Sequence, residues 1–341
     1  MYSFTNDYSE GAHESILKAL LDSNLKQGSG YGLDEYSEKA KDILKNVLKS
    51  KKIDIHFIPG GTQVNLICIS SFLKQYEAAI AADTGHIAVH ETGAIEACGH
   101  KVITAPSNDG KLTVDKIEKI LKIHTDEHMV KPKLVYISNA TEIGTIYKKQ
   151  ELIDLYTYCR EKNLLFFIDG ARMGSAITSK ENDLELCDLV NLCDAFYIGG
   201  TKNGALFGEA LVICNDSLKE DFRYNIKQKG ALLAKGRLLG IQFMELFKDD
   251  LFFNLAKHAN EMAALIQDAL IEENYKLLIK SSTNQIFPIL PNSYIEKLRE
   301  KYSFNTWEEY DENHTVIRLV SSWATEKDKV LDFINDLRNL Q

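Results

Sequence analysis

Polar and apolar positions along this chain follow two rhythms that alternate. Between Asp34 and Ser50, the residues Tyr36, Ala40, Ile43, Leu44, Val47 and Leu48 recur at helical spacing, and Asp34 is placed to cap the free amides, which predicts an amphipathic helix. Directly afterwards Ile53, Ile55 and Phe57 alternate with polar neighbours, Pro59-Gly60-Gly61 interrupts the run, and apolar residues resume at Val64, Leu66 and Ile67. The order is strand, glycine turn, helix. Short apolar runs then recur at 78–82, 101–105, 134–138, 164–168, 195–199 and 210–214, with helical periodicity between most of them. Such alternation needs crossover connections, so the expected fold class is α/β, a mostly parallel sheet covered by helices. Beyond residue 214 the texture changes to long helical stretches from Gly230 to about Glu272, sparse strands around QIFPIL and TVIRLV, and a closing helix from Glu326 to Leu340. This predicts a large domain over residues 1–240, including an N-terminal segment, and a smaller C-terminal α+β domain over 241–341.

Length and composition narrow the classes of function. At 341 residues the chain suffices for about two self-sufficient cores. Its 40 basic and 49 acidic residues leave a net charge of −9 without a basic block, so nucleic acid is not an expected partner. The stretch MYSFTNDYSEGAHES has neither a basic start nor an apolar core, and the longest strongly apolar run is LLFFI, so neither export nor membrane insertion is expected. Six cysteines without a C-x-x-C pair suit reduced, packed thiols and a cytoplasmic location.

Ligands of parallel sheets bind beyond the carboxyl ends of the strands, and four chemically capable clusters fall there. Gly60-Gly61-Thr62 offers backbone amides and a hydroxyl to an anion at a helix start. Asp169-Gly170-Ala171-Arg172 places a carboxylate for a ring nitrogen or a metal beside a two-pronged guanidinium. Thr201-Lys202 lies among glycines, where partial desolvation would lower the amine's pKa and free it to form a Schiff base. His86 can lie flat on an aromatic ring, act as a base, or join His90 and Glu91 around a metal. Taken singly, each cluster has an ordinary structural explanation: a tight turn, an internal ion pair, a solvated lysine, a packed or capping histidine. A competing string, His124-Thr125-Asp126-Glu127-His128, fits the H-x-x-E-H pattern of zinc peptidases, but it follows the last apolar turn of its helix and ends at Val130-Lys131-Pro132, so no metal is expected.

Together an anion turn, a strand-end acid, a stacking group and a recessed lysine are the parts that hold pyridoxal 5'-phosphate. Their order resembles the pyridoxal-phosphate-dependent threonine aldolases and the related beta-eliminating lyases of the aspartate aminotransferase-like fold. The resemblance rests on Tyr31-Gly32, Gly61-Thr62, His86, Asp169 to Arg172, Thr201-Lys202 and Arg318, and spans nearly the whole chain. It implies that Lys202 forms the Schiff base, Asp169 partners the ring nitrogen, Gly61 and Thr62 hold phosphate, His86 stacks on the ring, and Thr201 also binds the cofactor. It also makes Arg172 and Arg318 binders of a substrate carboxylate, with Arg172 beside the cofactor, helped by Asn6, which stands where the family commonly has serine. Tyr31, Lys227, Lys229 and Lys235 resemble elements that reach a neighbouring subunit's site, implying a homodimer or homotetramer.

The implied reaction is cleavage of threonine or allo-threonine to glycine and acetaldehyde, with β-elimination or transamination as alternatives on the same cofactor and a zinc hydrolase as a remote one. Where relatives carry a histidine in a string like ENTH, this chain has Ser138-Asn139-Ala140-Thr141. The base expected for the hydroxyl proton is therefore His86, acting directly or through a water that Thr141 positions, with loose discrimination between the two diastereomers as the consequence.

Overall fold

The computed structural model describes residues 1–340. Its strands, in chain order, are β1 (Tyr2–Ser3), β2 (Asp54–Ile58), β3 (Glu77–Ala82), β4 (Val102–Ala105), β5 (Lys131–Ser138), β6 (Leu165–Asp169), β7 (Ala195–Gly199), β8 (Glu209–Ile213), β9 (Gln285–Ile286), β10 (Ile289–Pro291), β11 (Tyr302–Ser303), β12 (Asn305–Glu309) and β13 (His314–Val320). Seven of them form one sheet in the order β2-β8-β7-β6-β5-β3-β4. The pairs β4–β3, β3–β5, β5–β6 and β6–β7 are parallel, while β8 runs antiparallel to both β2 and β7. The start of β8 therefore lies at the edge where the parallel strands end, and this reversal decides what reaches the site.

Alternation along each strand feeds two cores. Ile80, Val135, Phe166, Phe196 and Val212 pack on one face with Ala40, Leu44, Phe243 and Leu246 from helices Glu35–Val47 and Arg237–Leu246. Ala79, Leu134, Phe167, Tyr197 and Leu211 pack on the other with Val64, Ile67 and Cys68 of helix Gly61–Phe72. The expected first amphipathic helix is Glu35–Val47, capped by Asp34 Oδ1, which accepts the Ser37 amide at 2.9 Å. Every apolar run singled out in the sequence forms a strand of this sheet.

The segment from 230 to 272 is broken into Arg237–Leu246 and Leu251–Glu272, with Asp249 and Asp250 in the left-handed region between them. A smaller antiparallel sheet, β10-β13-β12 with β9 also on β13, fills the C-terminal part. The strand β12 was not among the expected elements. The start of the chain joins this part, because β1 pairs with β11 and Phe4 is buried against Tyr302 and Phe333. Apolar contacts pass from one core to the other within helix Leu251–Glu272: Phe252 and Leu255 pack with the large sheet, Met262, Ile266 and Leu270 with the small one. The expected boundary at 240/241 falls inside helix Arg237–Leu246. Among the described residues, no helix is long and apolar enough to cross a membrane.

Candidate active site

A cleft of about 490 Å³ opens at the carboxyl edge of the large sheet, lined by Gly60, Gly61, Thr62, His86, Glu142, Arg172, Tyr197, Thr201, Lys202, Glu209, Gln285 and Arg318 among others. Beneath it Asp169 ends β6 in register with Ser138 of β5, and Tyr197 follows the last β7 residues paired with β6. The register brings two phenols to one carboxylate. Tyr136 Oη donates to Asp169 Oδ2 at 2.6 Å and Tyr197 Oη to Oδ1 at 2.5 Å, while Asn65 Nδ2 and the Ala171 amide add bonds of 3.0 and 2.9 Å. Burial alone would raise this carboxyl's pKa, but the charge of His86 and these hydrogen bonds hold it below the usual carboxylate range.

The glycine turn is built for close approach. A Cβ on Gly61 would stand 2.9 Å from the Tyr197 hydroxyl, and no side chain caps the start of the twelve-residue helix Gly61–Phe72. Gly60, Gly61 and the exposed Thr62 at this uncapped start line the cleft, an arrangement that suits an anion.

Lys202 lies in the connection from β7 to β8. A Cβ on Gly200 would meet the Gly208 carbonyl at 2.7 Å and the Phe243 ring at 3.0 Å, so glycine lets the two strands of this connection close. Burial and the nearby Arg172 guanidinium lower the Lys202 pKa, opposed by Asp7, Asp169 and Glu209. Glu209 was missed in the sequence. Its Oε2 accepts the Gly200 amide at 3.0 Å and its Oε1 the Thr201 hydroxyl at 2.8 Å, and burial pushes its pKa up to about 8.

Opposite, His86 opens a short helix, its Nδ1 2.8 Å from Glu91 Oε1, which also accepts Asn65 Nδ2 at 2.7 Å. Glu91 is buried, and its partners leave no metal cage of His86, His90 and Glu91; among the described residues no group of His, Cys, Asp and Glu is arranged to hold a metal. The His86 amide donates to Glu142 Oε1 at 3.0 Å, and the Ser138 hydroxyl donates to the same oxygen at 2.6 Å.

Arg172 is held by Asp7, and Asp7 also accepts Asn284 Nδ2 at 2.9 Å. Burial would raise the Asp7 pKa, yet Arg172 and Lys202 hold it low. Arg318 reaches the same cleft with its Nε buried and without a partner.

Two expectations are corrected. Asn6 is not among the residues that line the cleft and closes a local turn, its Oδ1 accepting the Tyr8 amide at 2.9 Å and the Ser9 hydroxyl at 3.0 Å; the next residue, Asp7, is the one that reaches Arg172. Thr141 is fully buried, its hydroxyl 2.7 Å from that of Thr145, so it positions no water in the cleft. The string His124 to His128 lies, as its sequence context implies, past the end of helix Val114–Ile123, with His124 Nδ1 bonded to the Ile120 carbonyl, so its two imidazoles do not share a helix face. Tyr31, Lys227 and Lys229 line no part of this cleft: Lys227 Nζ sits 4.6 Å from the exposed Tyr31 ring, and Lys229 Nζ 3.6 Å from Cys98 Sγ.

The sequence model described as beta-eliminating lyase matches residues 11–292. The low specificity L-threonine aldolase of a Pseudomonas species is 31% identical over 98% of this chain and 96% of its own length. The solved threonine aldolase of Leishmania major superposes with a TM-score of 0.99 at 50% identity, covering 100% of this chain and 99% of that one. The histidinol-phosphate aminotransferase of Clostridium acetobutylicum shares the fold at 14% identity, with a TM-score of 0.73 over 100% of this chain and 99% of that one. A cleft floored by a held carboxylate, walled by a recessed lysine and headed by a glycine turn thus accompanies a match along the whole chain, and the protein belongs to the beta-eliminating lyase family, in its threonine aldolase group.

Proposed function

We propose that this chain is a pyridoxal-phosphate-dependent carbon–carbon lyase that cleaves L-threonine and L-allo-threonine to glycine and acetaldehyde. The observation that carries the reading is the pairing in one cleft of Asp169, a buried carboxylate held ionised by four donors, with Lys202, an amine whose pKa is lowered by burial. The residues fit the cofactor: an uncapped helix start for phosphate, a carboxylate for the ring nitrogen and an amine for the aldehyde. When bound, pyridoxal phosphate supplies an aldehyde that condenses with amines and a protonated ring that draws electrons from bonds at Cα.

Lys202 would hold the aldehyde carbon and Asp169 the ring nitrogen, with Gly61, Thr62 and Thr201 on the phosphate and His86 over the ring face. Asp169 would favour a proton on that nitrogen, because the charge of His86 and the bonds from Tyr136, Tyr197 and Asn65 keep the carboxylate ionised. Arg318, with an unpartnered Nε, and Arg172, fixed by Asp7, clamp the substrate carboxylate from the small-domain and large-domain sides. The small amino acid is thereby oriented before any bond breaks.

We place Tyr31, Lys227 and Lys229 at a neighbouring subunit's site in a homodimer or homotetramer, since none of them lines its own chain's cleft. The six cysteines are free of disulfides, which suits the reducing cytoplasm. The test of the cofactor is spectroscopic. Purified protein loaded with pyridoxal phosphate should show a visible absorption band that borohydride removes and that Lys202→Ala lacks; a wild-type protein without that band would refute the reading.

A further inference from the structure

Breaking the Cα–Cβ bond of a β-hydroxy amino acid requires a base for the hydroxyl proton, and a fixed carboxylate with a free oxygen can serve. Two carboxylates line the cleft, Glu142 and Glu209. Glu209 has both oxygens engaged, by Gly200 and Thr201. Asp169 below them is bonded by four donors, and Asp7 by Arg172 and Asn284. Glu142 differs: both of its bonds from other residues fall on Oε1, from the His86 amide and the Ser138 hydroxyl, and no other described residue donates to Oε2. The residue is only 8% exposed, and that remainder faces the cleft.

The position is chemically apt. The bond to His86 sets the carboxylate beside the residue proposed to cover the cofactor ring. Burial raises its pKa and the Ser138 hydroxyl opposes this, while the charge of Asp169 adds to the rise, which makes Glu142 a stronger base than a solvated glutamate. His86 keeps Nε2 open while its Nδ1 is tied to Glu91, but its ring is the one proposed to stack on the cofactor, which turns its face and not its edge toward the substrate. Thr141 is tied to Thr145 outside the cleft.

We propose that Glu142 is the base that takes the proton from the substrate's β-hydroxyl. The inference rests on the threonine-cleavage reading. The O–H electron pair becomes the second bond of the carbonyl as Oε2 takes the proton, and the Cα–Cβ pair stays with the glycine fragment. Acetaldehyde leaves, and the glycine fragment gains one proton at Cα. One proton is lost at oxygen and one gained at carbon, so no oxidant or further reactant enters.

Glu142→Gln keeps a carbonyl oxygen for the His86 amide and the Ser138 hydroxyl but cannot take a proton. Two rates are measured on the loaded enzyme: acetaldehyde release from threonine, and exchange of the glycine α-proton in D2O by NMR, a reaction that has no hydroxyl to deprotonate. The expected result is a fall in threonine cleavage of at least about tenfold, with glycine exchange kept within about threefold of wild type. Cleavage that falls less than this, or exchange that falls as far as cleavage, overturns the assignment; the second outcome would make Glu142 a support for His86. A wild-type enzyme that exchanges glycine yet releases no acetaldehyde would refute threonine cleavage itself, and is told apart because it appears before any mutation.

Discussion

Arg172 and Asp7 meet across 165 positions of sequence in a two-point ion pair, Nε to Oδ2 at 2.7 Å and Nη2 to Oδ1 at 3.1 Å. The pair is almost completely buried on the acidic side, and Asn284 ties it to the small sheet. One edge of the Arg172 guanidinium is thus committed within the protein, whereas Arg318, which lines the same cleft, makes among the described residues only a long Nη2 hydrogen bond of 3.5 Å to the Thr5 carbonyl. Arg318→Lys should therefore raise KM for threonine by about tenfold or more with a smaller change in kcat, because an ammonium cannot form a two-point bond to a carboxylate. Saturation curves for wild type and variant check this, and an unchanged KM would place the carboxylate elsewhere.

Asp7→Asn removes the charge that holds Arg172 and leaves a buried cation with a weaker partner. The expected outcome is a loss of stability of roughly 3 kcal/mol, by analogy with other broken buried pairs, together with a raised KM. Urea titration and substrate saturation read the two effects separately. A variant as stable as wild type would show that the pair contributes nothing to the fold.

Much of this site was legible because chemistry sits just after apolar runs: Asp169 follows LLFFI directly, and only Gly200 and Thr201 separate Lys202 from AFYIG. What was not legible depends on pairing across the sheet. Tyr136 and Tyr197 lie inside apolar runs and read as core, and only the β5–β6–β7 register brings their hydroxyls to Asp169. Glu209 stands before an apolar run, where a parallel strand would have put it at the far edge; the antiparallel direction of β8 returns it to the site. Asp7 and Arg172 pair through a chain start that joins the C-terminal sheet, a contact without local signal. The strand β12, NTWEE, is polar and mostly outside the core, so periodicity did not reveal it.

Asp169→Asn should keep the fold and lower the cleavage rate by at least about a hundredfold, roughly 2.7 kcal/mol of barrier, since a neutral amide does not keep the ring nitrogen protonated. Tyr197→Phe removes one of its donors and should cost a smaller factor, about tenfold. Steady-state rates on loaded enzyme decide; an Asp169→Asn enzyme within about threefold of wild type would assign the ring nitrogen to another group.

Glu209 links the site to pH. Its carboxyl has a pKa of about 8 in the folded chain because burial disfavours the charge, while an unfolded glutamate titrates near its ordinary value of 4.5. The folded state therefore binds the proton more tightly, and this contribution to stability is complete below the unfolded value and is lost as pH rises through the folded one. Glu209→Gln, which cannot ionise, should gain stability relative to wild type between about pH 5 and about pH 8.5, by on the order of 3 kcal/mol. Denaturant titrations at both pH values measure the difference, and a gap between the two proteins that does not change with pH would contradict it.

The central claim is that the cleft breaks the Cα–Cβ bond of threonine. Proton NMR of threonine incubated with the loaded, purified enzyme tests it in one measurement. Glycine and acetaldehyde should appear together in equal amounts as threonine disappears. Release of 2-oxobutyrate and ammonia without glycine would show β-elimination instead and would contradict the account.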